Sequence, residues 1–294
     1  MTRSPIFCYN LHVLSKRWFH LAVQTFVFDL DGVVYRGEQP LPGAVDSIEA
    51  LRRLGHQVYF FTNNSTHTRT TYAEKLARMG VPADEDHIMT SAYATALYLT
   101  EKGARGASVF VVGEEGPREE LRAAGLKLVE DGLDEKVDYV VAGLDRKFDY
   151  DTLTKAQHAI LAGAEFIATN RDATFPLEEG LIVPGSGALV SAIEAAAGVT
   201  PILIGKPETY AMCKVLELAH ASPENSVVVG DRLDTDVLVG KRIGAITVLV
   251  LTGVTTEEDL ASAPPELRPD VVVHGLSEML GKLSAFSSQL SVKT

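Results

Sequence analysis

The stretch that decides the fold is "FVFDLDGVVYRG", residues 26–37. An apolar run typical of a short buried strand leads into two aspartates one residue apart, Asp29 and Asp31, and then a glycine. Carboxylates this close repel each other, so we expect another group to balance their charge. On its own the pattern is a weak sign of function, because aspartate and glycine after a strand often form only a turn.

On either side of this stretch, strand-like and helix-like segments alternate from residue 23 onward. "GAVDSIEALRRLG" (residues 43–55) and "TTYAEKLARMG" (residues 70–80) have helical periodicity and end in glycine. The apolar strand-like runs are "QVYFFTNNS", "PILIGK", "SVVVGD", "GAITVLVLTG" and "DVVVH". Continuous apolar strands that alternate with helices are typical of a parallel sheet covered on both faces. We therefore predict an α/β protein with a doubly wound parallel-sheet core.

The stretch between the second helix and "PILIGK" is too long for one crossover between neighbouring strands. It contains strand–helix pairs of its own, such as "SVFVVG" with "EEGPREELRAAG" and "DYVVAG" with "DYDTLTKAQHAILAG". These pairs predict a second α/β domain inserted into the first. The predicted bounds are residues 1–22 for a loosely ordered N-terminal extension, 23–85 and 186–294 for the core, and 86–185 for the insertion.

The composition argues against several kinds of partner. The chain has 294 residues and a formal net charge of −12. An acidic surface repels nucleic acid and anionic lipid, so we expect neither as a partner. No apolar run reaches the roughly 18 residues that a membrane span needs. The cysteines, Cys8 and Cys213, are far apart and without metal-ligand spacing, which favours a reducing, cytoplasmic setting without a disulfide framework.

Polar residues follow four of the predicted strands. They are Asp29 with Asp31, the segment Thr62 to Ser65, Gly205 with Lys206, and Asp231. Because ligands bind outside the carboxyl ends of the strands in such sheets, we expect these residues to serve one site. The candidate metal ligands are all oxygens, which favours a hard cation and above all Mg²⁺. Magnesium usually shares its ligands with a substrate phosphate, and Thr62 and Lys206 are suited to surround that phosphate.

Two aspartates beside a metal and a phosphoryl group can do different chemical work. One carboxylate can attack phosphorus and form an aspartyl-phosphate. The other can protonate the leaving alcohol and then take a proton from the attacking water. The metal and the lysine would neutralise charge on the transferring group, which is where catalysis of phosphoryl transfer mainly lies.

The motifs "DLDGVVYRG", "FTNNS", "GKP" and "GDRLDTD", in that order, resemble those of the haloacid dehalogenase (HAD) superfamily of phosphatases. The insertion between the second and third motifs looks like the C2-type cap of that superfamily. With "ATNRDATFPLEEG" and "VPGSGALVSAIEAAAG", the chain is similar to the branch that holds 4-nitrophenylphosphatases, phosphoglycolate phosphatases and NagD-like enzymes. The resemblance covers about residues 23 to 285.

The resemblance implies catalytic roles for four residues. Asp29 would be the nucleophile and Asp31 the general acid and base. Thr62 would hold the phosphoryl oxygens. Lys206 would steady the nucleophile and the phosphate.

The resemblance also implies metal and substrate contacts. Magnesium would be bound by Asp29, by the main-chain carbonyl of Asp31 and by Asp231, with Asp236 in support. Asp234, in the same motif, is expected on the surface. Besides Thr62 and Lys206, Asn63 and Asn64 are expected to contact the substrate. The polar loop "TNRDATF" follows a strand of the insertion, and we expect a substrate contact from Arg171 there, with Asn170 and Asp172 as further candidates. A capped turn is the alternative for this loop.

We thus expect a magnesium-dependent phosphatase that acts on a small phosphorylated metabolite, such as phosphoglycolate or a 4-nitrophenyl phosphate-like monoester. By resemblance we also expect a homodimer formed through the cap. A phosphotransferase or mutase of the same family would carry the same motifs. A receiver-type regulatory module, which accepts phosphate on an aspartate, is an alternative of another class, although receivers are single domains of roughly 120 residues.

Overall fold

The computed structural model describes residues 24–133, 135–176, 182–283 and 285. The predicted N-terminal extension, residues 1–22, lies outside these ranges, and so does Cys8. The expectation of a chain without a disulfide framework stays a prediction, because it involves Cys8. Among the described residues, no helix combines the length and the apolar character that crossing a membrane requires.

The strands and helices follow one another along the chain much as the alternating pattern predicts. The strands are Thr25–Phe28 (β1), Tyr35–Arg36 (β2), Gln39–Pro40 (β3), Gln57–Thr62 (β4), Ile88–Thr90 (β5), Ser108–Val112 (β6), Lys127–Val129 (β7), Tyr139–Ala142 (β8), Glu165–Ala168 (β9), Thr174–Pro176 (β10), Ile182–Pro184 (β11), Ile202–Leu203 (β12), Ser226–Gly230 (β13), Ile246–Val250 (β14) and Val271–Val273 (β15). The helices are Ala44–Arg53 (α1), Arg69–Arg78 (α2), Ser91–Glu101 (α3), Glu115–Ala123 (α4), Tyr150–Leu161 (α5), Ser186–Ala197 (α6), Thr209–Leu218 (α7), Leu238–Ile243 (α8) and Glu257–Ser262 (α9).

A six-stranded sheet has the order β15-β14-β13-β1-β4-β5. The pairs β1–β13, β13–β14, β14–β15 and β4–β5 are parallel. Every residue of β1 and of β13 is buried, as expected for strands covered on both faces. In the register of the pair, Phe28 at the end of β1 lies opposite Val229. The residues that follow these two strands are therefore neighbours at one edge of the sheet.

A five-stranded parallel sheet has the order β12-β9-β8-β6-β7. Its apolar core includes Phe110, Val140 and Phe166 from the strands and Ile160 and Ile193 from α5 and α6. Strands β10 and β11 form a separate antiparallel pair. The sequence pattern grouped "PILIGK" with the strands of the first sheet, whereas Ile202–Leu203 pairs with β9 in this one. A two-residue apolar strand carries no signal of which sheet it joins.

Tertiary contacts divide the chain into two compact units. The first takes Leu41–Tyr59 together with the described residues up to Val34 and from Met212 onward. The second takes Tyr35–Pro40 and Phe60–Ala211. These units are defined by contacts, and their bounds differ from those expected for the core and the insertion. The expected domain bounds stay a prediction.

Local sequence explains how several helices begin. Thr68 precedes α2, and its hydroxyl accepts a hydrogen bond from the Thr71 amide. Thr90 ends β5 and caps α3 in the same way, accepting from the Tyr93 amide at 3.0 Å. Threonine suits this position because its side chain satisfies one of the unpaired amides of the first helical turn.

Candidate active site

In the first unit, three carboxylates lie at the carboxyl ends of neighbouring strands. Asp29 directly follows β1 and Asp231 directly follows β13, and the Asp29 amide donates to the Val229 carbonyl at 2.8 Å. Asp236 belongs to a π-helical turn, Leu233–Val237, that comes shortly after β13. One carboxylate oxygen from each of these three aspartates lies within 4.8 Å of the other two. Asp231 and Asp236 are each 2% exposed, so their charge is not dispersed into water.

The carboxylate of Asp231 is held from several sides. Its Oδ2 accepts a hydrogen bond from the Val254 amide at 2.7 Å, and its main-chain carbonyl accepts from the Thr255 amide at 3.1 Å. Two glycines make room for it. A Cβ added to Gly253 would stand 1.8 Å from Asp231 Oδ2, and one added to Gly32 would stand 2.7 Å from the same atom.

Asp236 is fixed from within its own motif. Its Oδ2 accepts from the Arg232 amide at 3.2 Å, which closes the loop between β13 and the π-helical turn. A Cβ on Gly230, the last residue of β13, would stand 2.1 Å from the Cβ of Asp236. The glycine of "GDRLDTD" therefore has a packing reason, because only a residue without a side chain leaves room for Asp236.

The donor set of this acidic cluster, defined as Asp29, Asp231 and Asp236, fits a hard divalent cation. All three donors are carboxylate oxygens, and two of the three groups are buried. Oxygen ligands of this kind suit Mg²⁺, and buried carboxylates so close together need a balancing positive charge. Asp31 is partly buried, and Asp234 is exposed at the surface, as expected.

In the second unit, the residues that end β4 form a tight turn. Thr62 is 2% exposed, and its hydroxyl oxygen accepts a hydrogen bond from the Asn64 amide at 3.1 Å. Asn64 Oδ1 accepts from both the amide and the hydroxyl of Thr66, at 3.1 and 2.7 Å. The side chain of Asn64 therefore shapes this turn, a use that asparagine commonly has.

Asn63 and Lys206, 143 residues apart in sequence, are joined by two hydrogen bonds. Asn63 Oδ1 accepts from the Lys206 amide at 2.9 Å, and Asn63 Nδ2 donates to the Lys206 carbonyl at 3.0 Å. The ammonium group of Lys206 donates to the Phe61 carbonyl at 3.0 Å and lies 4.9 Å from the centre of the Phe61 ring. Lys206 is 3% exposed, which distinguishes it from an ordinary surface lysine.

The polar loop after β9 is tied into the same unit. Asn170 is 3% exposed and donates to the main-chain carbonyl of Asn63 at 2.7 Å. Arg171 forms an ion pair with Glu194 of α6. Asp172 accepts a hydrogen bond from Asn63 Nδ2 at 3.0 Å. The side chains of Asn63, Asn64 and Arg171 each have a partner within the protein. The substrate contacts expected of them stay predictions.

Sequence reasoning missed the buried hydroxyl groups around Asn63 and Asn170. Ser91 donates to the Asn63 carbonyl at 2.6 Å, and Ser186 donates to the Asn170 carbonyl at 3.1 Å. Both serines are almost fully buried. Each begins a helix, so its sequence context is that of an ordinary helix start, and only the fold reveals which carbonyl it meets.

A family model for haloacid dehalogenase-like hydrolases matches residues 26–127, and a second HAD-type hydrolase model matches residues 203–279. An acid sugar phosphatase from Staphylococcus epidermidis is 41% identical over 81% of this chain and 90% of its own length.

Solved structures similar to this chain are also phosphatases. A p-nitrophenyl phosphatase from Archaeoglobus fulgidus superimposes with a TM-score of 0.81 at 39% identity, over 88% of this chain and 98% of its own. A glycerol phosphate phosphatase from Mycobacterium tuberculosis, in complex with magnesium, superimposes with a TM-score of 0.79 at 36% identity, over 86% of this chain and 75% of its own. With the motifs, the sheet order and the acidic cluster in place, these similarities establish that the chain belongs to the haloacid dehalogenase-like hydrolase family.

Proposed function

We propose that this protein is a magnesium-dependent phosphatase that hydrolyses a small phosphate monoester through an aspartyl-phosphate on Asp29. The observation that carries the proposal is the acidic cluster, in which three carboxylates lie within 4.8 Å of one another at the ends of β1 and β13. Such a cluster is electrostatically unfavourable without a cation, and it suits the binding of a metal and a phosphoryl group together.

Asp29, Asp231 and Asp236, with the main-chain carbonyl of Asp31, are the groups that would hold the cation. When bound, magnesium would neutralise charge on the phosphoryl group and on the surrounding carboxylates. A glycerol phosphate phosphatase of the same family has been solved with magnesium, which supports this choice of ion. Asp236 enters this set beside Asp29 and Asp231 because of its position in the cluster, whereas the sequence suggested only a supporting role.

Asp29 performs the first step, in which one of its carboxylate oxygens attacks phosphorus and the bond to the leaving alcohol breaks. Asp31 donates its proton to that alcohol. In the second step Asp31 takes a proton from a water molecule, which attacks phosphorus and releases phosphate from Asp29. The two steps return both aspartates to their starting states.

Thr62 and Lys206 are assigned to the phosphoryl group by the order of the family's motifs. The hydroxyl of Thr62 would donate to a phosphoryl oxygen, and the ammonium of Lys206 would offset its negative charge. The burial of both side chains supports these roles, since electrostatic interactions are stronger away from water.

The substrate is a small phosphorylated metabolite. The relatives named above are an acid sugar phosphatase, a p-nitrophenyl phosphatase and a glycerol phosphate phosphatase, which supports a small monoester as the substrate class. A cytoplasmic location and a homodimer formed through the inserted segment belong to the same proposal.

The proposal is tested by phosphate release from a panel of small esters, with magnesium and with chelator. The panel holds glycerol phosphate, 4-nitrophenyl phosphate, phosphoglycolate and a sugar phosphate. We expect magnesium-dependent release that Asp29→Asn abolishes, because an amide does not attack phosphorus. Asp234→Asn is the matched control: it removes an exposed carboxylate from the same motif and should leave the rate unchanged.

Other outcomes would point elsewhere. Release that occurs only when a sugar acceptor is present would favour a phosphotransferase. A stable phospho-protein without release would favour a regulatory module. Activity of Asp29→Asn near that of the wild type would rule out the covalent mechanism.

A further inference from the structure

We infer that Asn63 is a positioning residue for Lys206, and that Asp172 locks it in the orientation this task requires. The inference rests on the proposed function for the role of Lys206. It gives Asn63 a different task from the substrate contact that the sequence suggests. All of the residues involved belong to the second unit.

The side-chain amide of Asn63 makes three hydrogen bonds within the protein. Its oxygen accepts from the Lys206 amide, one hydrogen of Nδ2 goes to the Lys206 carbonyl, and the other goes to Asp172 Oδ1, at 2.9, 3.0 and 3.0 Å. An asparagine side chain has two donors, and both are taken. Asn63 thus binds both the amide and the carbonyl of Lys206, as a neighbouring strand does in a β-sheet. These two bonds fix the main chain of Lys206.

Asp172 determines which way the side-chain amide of Asn63 faces. A carboxylate is only an acceptor, so it selects the orientation in which Nδ2 faces Asp172 and Oδ1 faces the Lys206 amide. The hydrogen bond is charge-assisted and therefore among the stronger ones. Asp172 is itself held, because its amide donates to Asn170 Oδ1 at 3.2 Å and its carbonyl accepts from the Gly187 amide at 2.9 Å.

The main chain of Asn63 is equally constrained. Its carbonyl accepts from Ser91 Oγ at 2.6 Å and from Asn170 Nδ2 at 2.7 Å. On the side of Lys206, a Cβ on Gly205 would stand 2.6 Å from Asn63 Oδ1 and 2.5 Å from the Thr169 carbonyl. Gly205 thus permits the close approach that brings the amide of Lys206 to Asn63.

The position of the Lys206 ammonium follows from these contacts. The ammonium donates to the carbonyl of Phe61, which lies two residues before Asn63. The segment Phe61 to Asn63 therefore holds Lys206 at two points. Asn63 binds its main chain, and the Phe61 carbonyl binds its ammonium group. A displacement of about 1 Å in a group that neutralises phosphate is enough to lower turnover by about 10²-fold.

The first test measures Lys206 itself in protein without substrate. Hydrogen exchange at the Lys206 amide is read by mass spectrometry from peptides that end on either side of it. We expect Asn63→Ala to speed this exchange about fivefold, the equivalent of one ordinary hydrogen bond. Ser91→Ala is the matched control, because it removes a bond to the carbonyl of Asn63 and leaves the side-chain amide in place. Unchanged exchange in Asn63→Ala, or equal changes in both variants, would overturn the inference.

The second test separates positioning from substrate contact. With 4-nitrophenyl phosphate and magnesium, we expect Asn63→Ala to lower kcat by about 10²-fold with a smaller change in KM. A higher KM with unchanged kcat would instead mark Asn63 as a substrate contact and would contradict positioning. If the wild type hydrolyses no ester, the proposed function fails, whereas the exchange measurement still decides whether Asn63 holds Lys206.

The role of Asp172 is tested by swapping the amide and the carboxylate between positions 63 and 172. Asn63→Asp places a carboxylate oxygen against Asp172, so kcat should fall at least as far as in Asn63→Ala. In the double variant with Asp172→Asn, the amide at position 172 donates to the carboxylate at position 63. This should recover part of the lost kcat. A double variant no better than Asn63→Asp would overturn the role of Asp172.

Discussion

Asp231 and Gly253 are so close that a single methyl group on the glycine would stand 1.8 Å from Asp231 Oδ2. That oxygen also receives the hydrogen bond from the Val254 amide, the next residue in the chain. The turn that follows β14 thus fixes one carboxylate of the acidic cluster through a backbone contact. The geometry of the cluster depends on a glycine outside the "GDRLDTD" motif.

We predict that Gly253→Ala removes the stabilisation that magnesium gives to the fold. A cation bound only by the folded state at 100 times its dissociation constant adds about 2.7 kcal/mol to the free energy of unfolding. The wild type should therefore melt at a higher temperature with magnesium than with chelator, whereas Gly253→Ala should show no such increase. The measurement is thermal unfolding followed by circular dichroism.

Two further variants make this prediction decisive. Asp231→Asn removes the carboxylate itself without adding bulk, so it should also lose the response to magnesium. Asp234→Asn should keep the full response, because Asp234 is exposed. A full magnesium response in Gly253→Ala would show that Asp231 moves without loss of the ion.

We predict that Asp31→Asn slows turnover by roughly 10²–10⁴-fold, because general acid–base help is lost in both steps. With 4-nitrophenyl phosphate the leaving group needs little protonation, so Asp29 should still be phosphorylated. Stopped-flow absorbance should then show a burst of one 4-nitrophenolate per active site, followed by a slow steady rate. A variant with no kinetic defect would mean that the two aspartates have been assigned wrongly.

The sequence was sufficient for the elements that depend on local patterns. The runs "TFVF" and "SVVVG" are buried strands, and the rule that ligand-binding residues follow the carboxyl ends of parallel strands correctly predicts Asp29 and Asp231 at one edge of the sheet. It was not sufficient where distant segments meet. Neither the joining of β12 to β9 nor the pairing of Asn63 with Lys206 has a local signal, because both depend on contacts between segments far apart in sequence.

We predict that Arg171→Ala affects stability and leaves the KM for a small ester unchanged. Its guanidinium already pairs with Glu194, which also accepts from the Thr200 hydroxyl at 2.7 Å. Because both partners are partly exposed, the coupling measured by a double-mutant cycle with Glu194→Ala should be no more than about 1 kcal/mol. A rise in KM in Arg171→Ala that Glu194→Ala does not share would support the substrate contact suggested by the sequence.

We predict that Asp138→Ala destabilises the five-stranded sheet at neutral pH and that its effect shrinks in acid. The amide and the hydroxyl of Ser108 donate to Asp138 Oδ2 at 2.9 and 2.8 Å, joining the starts of β6 and β8, and Lys136 lies nearby. The Ser108 amide, the Ser108 hydroxyl and Lys136, in that order, lower the pKa of Asp138 from 3.8 to about 2. A folded-state pKa below the unfolded value stabilises the fold above about pH 4, and this contribution is lost as the pH falls towards 2.

The measurement for Asp138→Ala is urea unfolding as a function of pH. At pH 7 the free energy of unfolding should fall by about 1 kcal/mol, less than for a buried charged hydrogen bond because Asp138 is partly exposed. The gap between variant and wild type should narrow below pH 4, whereas Lys136→Ala, at an 88% exposed side chain, should change little at any pH. A gap that stays constant from pH 7 to pH 3 would contradict the charged hydrogen bonds as its cause.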